Sequence, residues 1–216
     1  ESICTICNTI SMIDSGSCGA DITWQLRTNG TLYISGTGPM QDYGGGETTV
    51  PWYKHRAKIK SAVVSEGITT IGYSAFCKCS KLGHVTMPSG VITIGGGAFA
   101  DCVSLTSVNI PQSITSIEGG AFSGCTSLTS IEIPYGTTIL DSTFYNCTNL
   151  ESVILPDSIK GLHDTFHGCT NLTNVTLPDG LTTIGHYAFK DCRKLSNLEI
   201  PDSVVNIDMG AFWGCQ

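Results

Sequence analysis

Apolar and polar positions alternate along most of the chain in short runs, and a proline closes each run. The runs are Val85/Met87/Pro88, Val108/Ile110/Pro111, Ile131/Ile133/Pro134, Val153/Leu155/Pro156, Val175/Leu177/Pro178 and Leu198/Ile200/Pro201. Alternation of period two predicts a short strand with one face inward. Proline, which has no backbone donor, ends it. A two-residue turn follows, as at Ser89-Gly90, Tyr135-Gly136, Asp157-Ser158, Asp179-Gly180 and Asp202-Ser203. A second apolar pair comes next (Val91/Ile94, Ile114/Ile117, Leu181/Ile184), and after it a Gly-rich bend.

Each bend leads into Phe-x-x-Cys: Phe76/Cys79, Phe99/Cys102, Phe122/Cys125, Phe144/Cys147, Phe166/Cys169, Phe189/Cys192 and Phe212/Cys215. The steps between phenylalanines are 23, 23, 22, 22, 23 and 23 residues, and all seven phenylalanines of the chain stand at this position. Leu82, Leu105, Leu128, Leu150, Leu172 and Leu195 follow the first six cysteines by three residues. A unit of this size has no room for a core of its own, so the units must stack on one another as a solenoid. The two short steps lose their residue in the bend, and both carry Thr (Thr143, Thr165) where the other five units have Ala. The shortened bend is expected to open room beside that position.

The first unit is degenerate: Ile59, Ala62 and Val64 hold the apolar positions and Ser65 replaces the proline. Upstream, Ile22/Trp24/Leu26 and Leu32/Ile34 alternate around Asn29-Gly30, the signature of a hairpin with a type I′ turn. With a short helix near Trp52–Lys60, that hairpin is expected to cover one end of the core, Gly44-Gly45-Gly46 forming a loop between them. The boundaries predicted are a β-rich N-terminal cap over 1–58 and a solenoid of about seven repeats over 59–216. Because Gln216 falls after a seventh Phe-x-x-Cys and before its strand, the native polypeptide is expected to continue or a neighbour to cover that end.

Composition narrows the function classes. Charged residues make up 13% of the chain, against about 25% in an ordinary soluble protein. The 48 serines and threonines supply the missing surface polarity. A net charge of −7 argues against nucleic acid as a partner. The one basic cluster, Lys54-His55-Arg56-Ala57-Lys58-Ile59-Lys60, reads as a solvated helix face. No apolar run reaches the 18 or so residues of a membrane helix, so membrane insertion of this chain is not expected. The chain opens at Glu1 with no basic, apolar signal segment and reads as mature or trimmed.

Seven of the 11 cysteines recur with the repeat. Stacked strands lie about 4.8 Å apart, which sets these side chains in a column of parallel vectors, the wrong geometry for disulfides. Cys79, Cys102, Cys125, Cys147, Cys169, Cys192 and Cys215 are therefore expected to be a structural ladder of buried thiols acting as small hydrophobes. Cys4, Cys7, Cys18 and Cys77 are left over. Outside the cell four such residues fit one or two disulfides pinning the N-terminal segment; free thiols and a zinc site at Cys4-x-x-Cys7 stay open as alternatives.

No other candidate chemistry stands out. His163 and His167 flank the core position Phe166 in a bend, so they read as surface polar residues rather than metal ligands, as do His55, His84 and His186. With 22 serines in the chain, no Ser-His-Asp set can be singled out. A uniform repeat sheet offers no cleft for paired carboxylates. Gly95-Gly96-Gly97 and Gly119-Gly120 precede Ala-Phe, not a helix, and are bends rather than phosphate loops. Sequons at Asn29, Asn146, Asn171 and Asn174 matter only in a eukaryotic source. No catalytic residue, metal or cofactor is expected.

The repeated Ala-Phe-x-x-Cys-x-x-Leu-x-x-Val-x-Ile-Pro pattern over 59–216 resembles the BspA-like leucine-rich repeats of bacterial and protist surface proteins. Cys18-Gly19-Ala20-Asp21-Ile22-Thr23-Trp24, Ser35-Gly36-Thr37-Gly38-Pro39-Met40 and Pro51-Trp52-Tyr53 resemble their N-terminal parts. The resemblance implies a right-handed leucine-rich-repeat solenoid with short parallel strands on one face. It further implies a secreted or cell-surface protein, non-enzymatic, that adheres to host or neighbouring-cell proteins, extracellular-matrix proteins among them.

Exposed strand positions form the usual binding face of a solenoid. Here they are Thr86, Asn109, Glu132, Ile154, Thr176 and Glu199, beside a row of His84, Ser107, Ser130, Ser152, Asn174 and Asn197. Ile154 is the apolar exception, an interface anchor or simply one exposed isoleucine on a solvated face. The loop around Asp42–Val50, next to Trp52 and Tyr53, is a second candidate. A structural spacer presenting other domains, and a glycan-binding face, are the competing functions; the glycan reading wants clustered exposed aromatics, of which the repeat surface offers few.

Overall fold

The structure, a computed structural model, describes residues 10–43, 49–138 and 140–216. The fold begins with an antiparallel meander of three strands, β1 (Met12–Gly19), β2 (Asp21–Arg27) and β3 (Thr31–Pro39). Ile22, Trp24, Leu26, Leu32 and Ile34 point inward and are buried, as their alternation dictates. The β2–β3 turn departs from the expected type I′. The Gly30 N–H donates to the Arg27 carbonyl at 2.9 Å, and of the turn residues Gly30 has the positive φ (88°) while Asn29 does not. It is a three-residue loop closing on a left-handed glycine. The Asn29 side chain accepts the Thr31 N–H at 3.0 Å, which leaves the left-handed step to the residue without a Cβ.

The third strand splices the cap to the coils. Thr31–Ile34 pairs in parallel with β4 (Ser61–Val64), and Gly38–Pro39 with β5 (Ile68–Ile71). Each pairing starts a column. The first column runs from β4 to β6 (His84–Thr86) and resumes as β9 (Ser130–Glu132), β10 (Ser152–Ile154) and β12 (Asn174–Thr176). The second, built on the second apolar pair, holds two-residue strands after its four-residue first member, β5. It runs from β5 to β7 (Thr93–Ile94) and β8 (Ser116–Ile117), then as β11 (Gly161–Leu162), β13 (Thr183–Ile184) and β14 (Asn206–Ile207). The chain is thus a β-solenoid of parallel strands. A short 3-10 helix forms at Tyr53–Lys58. His55 and Lys54 tie it to Asp14 on β1 at 2.9 and 3.0 Å, and Arg56 lies 3.9 Å over the Tyr53 ring.

A column of aromatic rings runs through the core. Consecutive phenylalanines from Phe76 to Phe212 stack nearly parallel, centroids 5.1 to 6.0 Å apart. Trp52 extends the stack toward the cap, 5.9 Å from Phe76, and meets Trp24 edge-on at 5.7 Å. Its indole N–H donates to the Ala75 carbonyl at 2.8 Å. In the next coil the same carbonyl, on Ala98, takes the Phe76 backbone N–H at 2.7 Å. Trp52 therefore ends both the ring stack and its hydrogen-bond ladder.

The cysteines beside the rings do more than fill space. The thiols of Cys102, Cys125, Cys147, Cys169, Cys192 and Cys215 each donate to the phenylalanine carbonyl one coil back, at 3.1 to 3.2 Å. Burial pushes the thiols of Cys79 and Cys147 up to about 12 and those of Cys102, Cys125 and Cys169 well above the ordinary value. Cys18 is a fully buried thiol in the cap, also pushed up to about 12. Cys77 is partly buried, and Cys4 and Cys7 lie outside the described residues.

The bend uses two left-handed residues per coil, two before and two after phenylalanine. The later position reads Lys78, Asp101, Gly124, Asn146, Gly168, Asp191, Gly214, all with positive φ. A carboxylate or amide there reaches over the following glycine. A Cβ on Gly124, Gly168 or Gly214 would run into the Oδ1 of Asp101, Asn146 or Asp191. The threonine of the second short coil, Thr165, also has a specific job. Where the next coil has a long bend, the carbonyl of the second-column residue accepts a backbone N–H from it, as Ile94 does from Glu118 at 2.9 Å. At Leu140, which faces a shortened bend, the Thr165 hydroxyl donates instead at 2.7 Å. At Thr165, then, room alone does not account for the threonine, while the Thr143 hydroxyl reaches the Asp141 carbonyl of its own bend at 3.4 Å.

Candidate recognition face

Because strand side chains alternate, burying Val85, Val108, Ile131 and Val153 turns their neighbours outward. Thr86, Asn109, Glu132, Ile154, Thr176 and Glu199 are all exposed, and Glu132, Ile154 and Thr176 are in direct register across β9, β10 and β12. Asn109 and Glu199 sit in coils whose strand pairing is not formed, so backbone ladders do not span the whole row. Of the parallel row, His84, Ser107, Ser130, Asn174 and Asn197 are exposed and Ser152 is partly buried.

The face extends past the coils. Tyr33 of β3 pairs with Val63 of β4, and Val63 with Thr86, so the outward row begins in the cap. Gln25 pairs with Tyr33 and leads to Arg27, whose guanidinium bonds Gln25 at 2.8 Å. Reading the repeat alone missed these residues. The available signal was the alternation Gln25/Arg27 and Tyr33/Ser35, but nothing in it says that β3 pairs in parallel with the first coil.

Ile154 is 65% exposed. It borders a shallow depression of about 400 Å³ with Ser107, Asn109, Ser130, Glu132 and Ser152. A second depression, about 580 Å³, follows along the row between Thr176, Asp179, Asn197, Glu199 and Asp202. Of the Asp42–Val50 loop, residues 44–48 lie outside the described set, while Tyr43 and Val50 are buried against the cap.

A different ridge collects aromatic residues that are scattered in the sequence. On the bend, Tyr145 meets His167 edge-on at 4.7 Å, His167 lies 5.9 Å from Tyr187, and Lys190 sits over the rings of Tyr187 and Trp213. His167 also pairs with Asp164 at 3.1 Å. These contacts turn the rings on each other and on Lys190. His163, four residues from His167, stays exposed. Among the described residues no group of three His, Cys, Asp or Glu side chains is placed to hold a metal ion, and no helix is long and apolar enough to cross a membrane.

Parallel coils, one apolar strand position per coil and a ladder inside each bend define a leucine-rich-repeat solenoid. The BspA type leucine rich repeat region matches residues 52–165 and 137–216, with six copies, and the chain belongs to that family. Leucine-rich repeats are in general recognition or scaffold modules, and no catalytic family is indicated. A leucine-rich repeat protein from Bacteroides ovatus is similar at 29% identity and a TM-score of 0.71, over 88% of this chain. This chain spans 54% of the length of that protein. A T. pallidum leucine-rich repeat protein is 25% identical, with a TM-score of 0.63 over 84% of this chain and 92% of its own. A leucine-rich cell surface protein from Faecalibacterium prausnitzii shares the fold at 23% identity and a TM-score of 0.55, covering 94% of this chain and 75% of its own. No curated protein matches the sequence.

Proposed function

We propose that this chain is an extracellular recognition module, secreted or held at a cell surface, that adheres to a protein ligand through the row from Tyr33 to Glu199. The observation that carries the reading is Ile154, 65% exposed within the otherwise polar stretch of that row from Thr86 to Glu199 and bordering a depression. An apolar side chain there costs solubility, and a contact that buries it recovers the hydrophobic term. The small uncharged neighbours, Ser130 and Thr176, desolvate at low cost. A surface location is supported by the similarity to the Faecalibacterium cell surface protein and by the family.

The test is a binding screen of the purified chain against extracellular-matrix proteins, serum proteins and a glycan array, with Ile154→Glu in parallel. A saturable protein hit weakened at least tenfold by the substitution is expected. A hit indifferent to it moves the site off this face, and hits confined to glycans replace the ligand class. Silence at about 0.1 mM, already weak for a single module, would favour a spacer that presents other domains.

A further inference from the structure

The strand face has a charge pattern that specifies its ligand further. Between residues 85 and 159 the chain has no Lys or Arg at all. On the strands and proline turns of the last four coils, six carboxylates are exposed: Glu132, Glu151, Asp157, Asp179, Glu199 and Asp202. None of them forms an ion pair among the described residues. Of the basic side chains of that half, Lys190 and Arg193 are held on the bend, Lys160 sits at the proline turn beside Asp157, and Lys194 is exposed. Lys190 lies over Tyr187 and Trp213, Arg193 reaches Asp191 at 3.6 Å on the bend, and the Lys160 ammonium bonds the Asp157 carbonyl at 3.4 Å. Unpaired carboxylates flank Ile154, the one apolar side chain of the row from Glu132 to Glu199, so the complementary surface is cationic with an apolar centre.

The spacing sharpens this. Glu132, Ile154, Thr176 and Glu199 occupy successive coils of one row. Coils repeat about every 4.8 Å, which sets the two glutamates about 14 Å apart. An extended peptide advances about 3.3 Å per residue and presents every second side chain to one face. Two basic side chains four residues apart therefore span the glutamates, and the residue midway between them falls over Ile154 and Thr176. We propose that the strand face binds an extended, cationic protein segment of the pattern basic-x-apolar-x-basic, laid across the coils from Glu132 to Glu199. The inference rests on the recognition reading above and names the chemistry of its partner.

Three labelled peptides test it, each with Ser at the x positions and Gly-Ser flanks: a Lys-x-Leu-x-Lys centre, its Glu-x-Leu-x-Glu reversal, and Lys-x-Ser-x-Lys. Fluorescence anisotropy at low salt is expected to show saturable binding of the first below about 1 mM, at least tenfold tighter than the reversal. Exposed ion pairs are individually weak, so Glu132→Gln with Glu199→Gln is expected to cost about three- to tenfold. Ile154→Ser should erase the advantage of Leu over Ser, and about 0.3 M salt should weaken the charged term. Equal binding of the reversed peptide, indifference to the double variant, or no binding at 1 mM overturns the proposal. The two failures separate on a protein hit from the screen. A hit sensitive to Ile154→Glu but not to the double glutamine variant refutes the cationic partner and leaves the face standing; a hit insensitive to both refutes the face as well.

Discussion

Replacing Phe144 by alanine probes the principle on which the whole chain is built. Its ring is fully buried and stacked between Phe122 and Phe166, at 6.0 and 5.7 Å. A core Phe→Ala change costs about 3–5 kcal/mol, the lost transfer energy plus the cavity. Two stacked partners, each worth about 0.5–1.5 kcal/mol beyond area, put this site toward the upper end. The cavity also falls where collapse is hard, because backbone bonds such as Phe144 N–H to the Thr165 carbonyl at 3.0 Å hold adjacent coils at their spacing. In a solenoid each coil contacts only its neighbours, so a weak coil in the middle divides the array. Urea unfolding followed by far-UV circular dichroism is expected to show a loss of about 4–5 kcal/mol and a broader, less cooperative transition. Phe212→Ala is the internal comparison: its ring is half-buried with one stacked partner, and the cost should be about half. A loss below about 1 kcal/mol for Phe144→Ala, or equal losses at both sites, would refute the stack as the organising core.

Three further outcomes follow from the same geometry. Thr137 is fully buried in a column otherwise filled by Val, Ile and Leu, and its hydroxyl has no partner; Thr137→Val should stabilise by about 1 kcal/mol, and a lower melting temperature would show that the hydroxyl is satisfied. Gly168→Ala forces a left-handed alanine (φ 77°) into the Asn146 Oδ1, whereas Gly120→Ala (φ 68°) meets only open space and Ser123; about 1 kcal/mol is expected at Gly120 and clearly more at Gly168, so equal melting shifts would dispose of the Asx-over-Gly pairing. Burial raises the ladder thiols, to about 12 for Cys79 and Cys147, above the unfolded value near 8.5–9. Their contribution is intact below about pH 9 and is lost as pH rises toward 12, at up to about 1.4 kcal/mol per pH unit for each thiol. Urea midpoints at pH 8, 9.5 and 10.5 should fall, with a shallower fall in Cys147→Ala; parallel slopes would mean that the Cys147 thiol ionises alike in both states.

How far the sequence was legible differs from one residue set to the next. The seven Phe-x-x-Cys motifs announce the coil because a repeated unit faces the same neighbours every time, so identical positions must meet identical demands. The role of the cysteine sulfur was not legible: a small apolar residue would show the same period, and only the fold brings the phenylalanine carbonyl of the previous coil to 3.1 Å. Thr165 shows the same limit, since its acceptor, the Leu140 carbonyl, lies 25 residues away. The first strand, β1, escaped because most of its residues are exposed or half-exposed and no clean alternation marks it.

By itself, then, the sequence determined the period, the inward column, the outward row and the stacking of coils into a solenoid, because these follow from local alternation and from repetition. The tertiary structure decided which distant elements share an edge. It attached the cap through β3 to both columns, put Trp52 in the place of a phenylalanine rung, and carried the outward row back to Tyr33. It also gathered unpaired carboxylates around Ile154 along a row four coils long. Backbone pairing between nonrepeating segments and the direction in which long charged side chains turn depend on contacts that no local pattern encodes, and the recognition surface is made of those contacts.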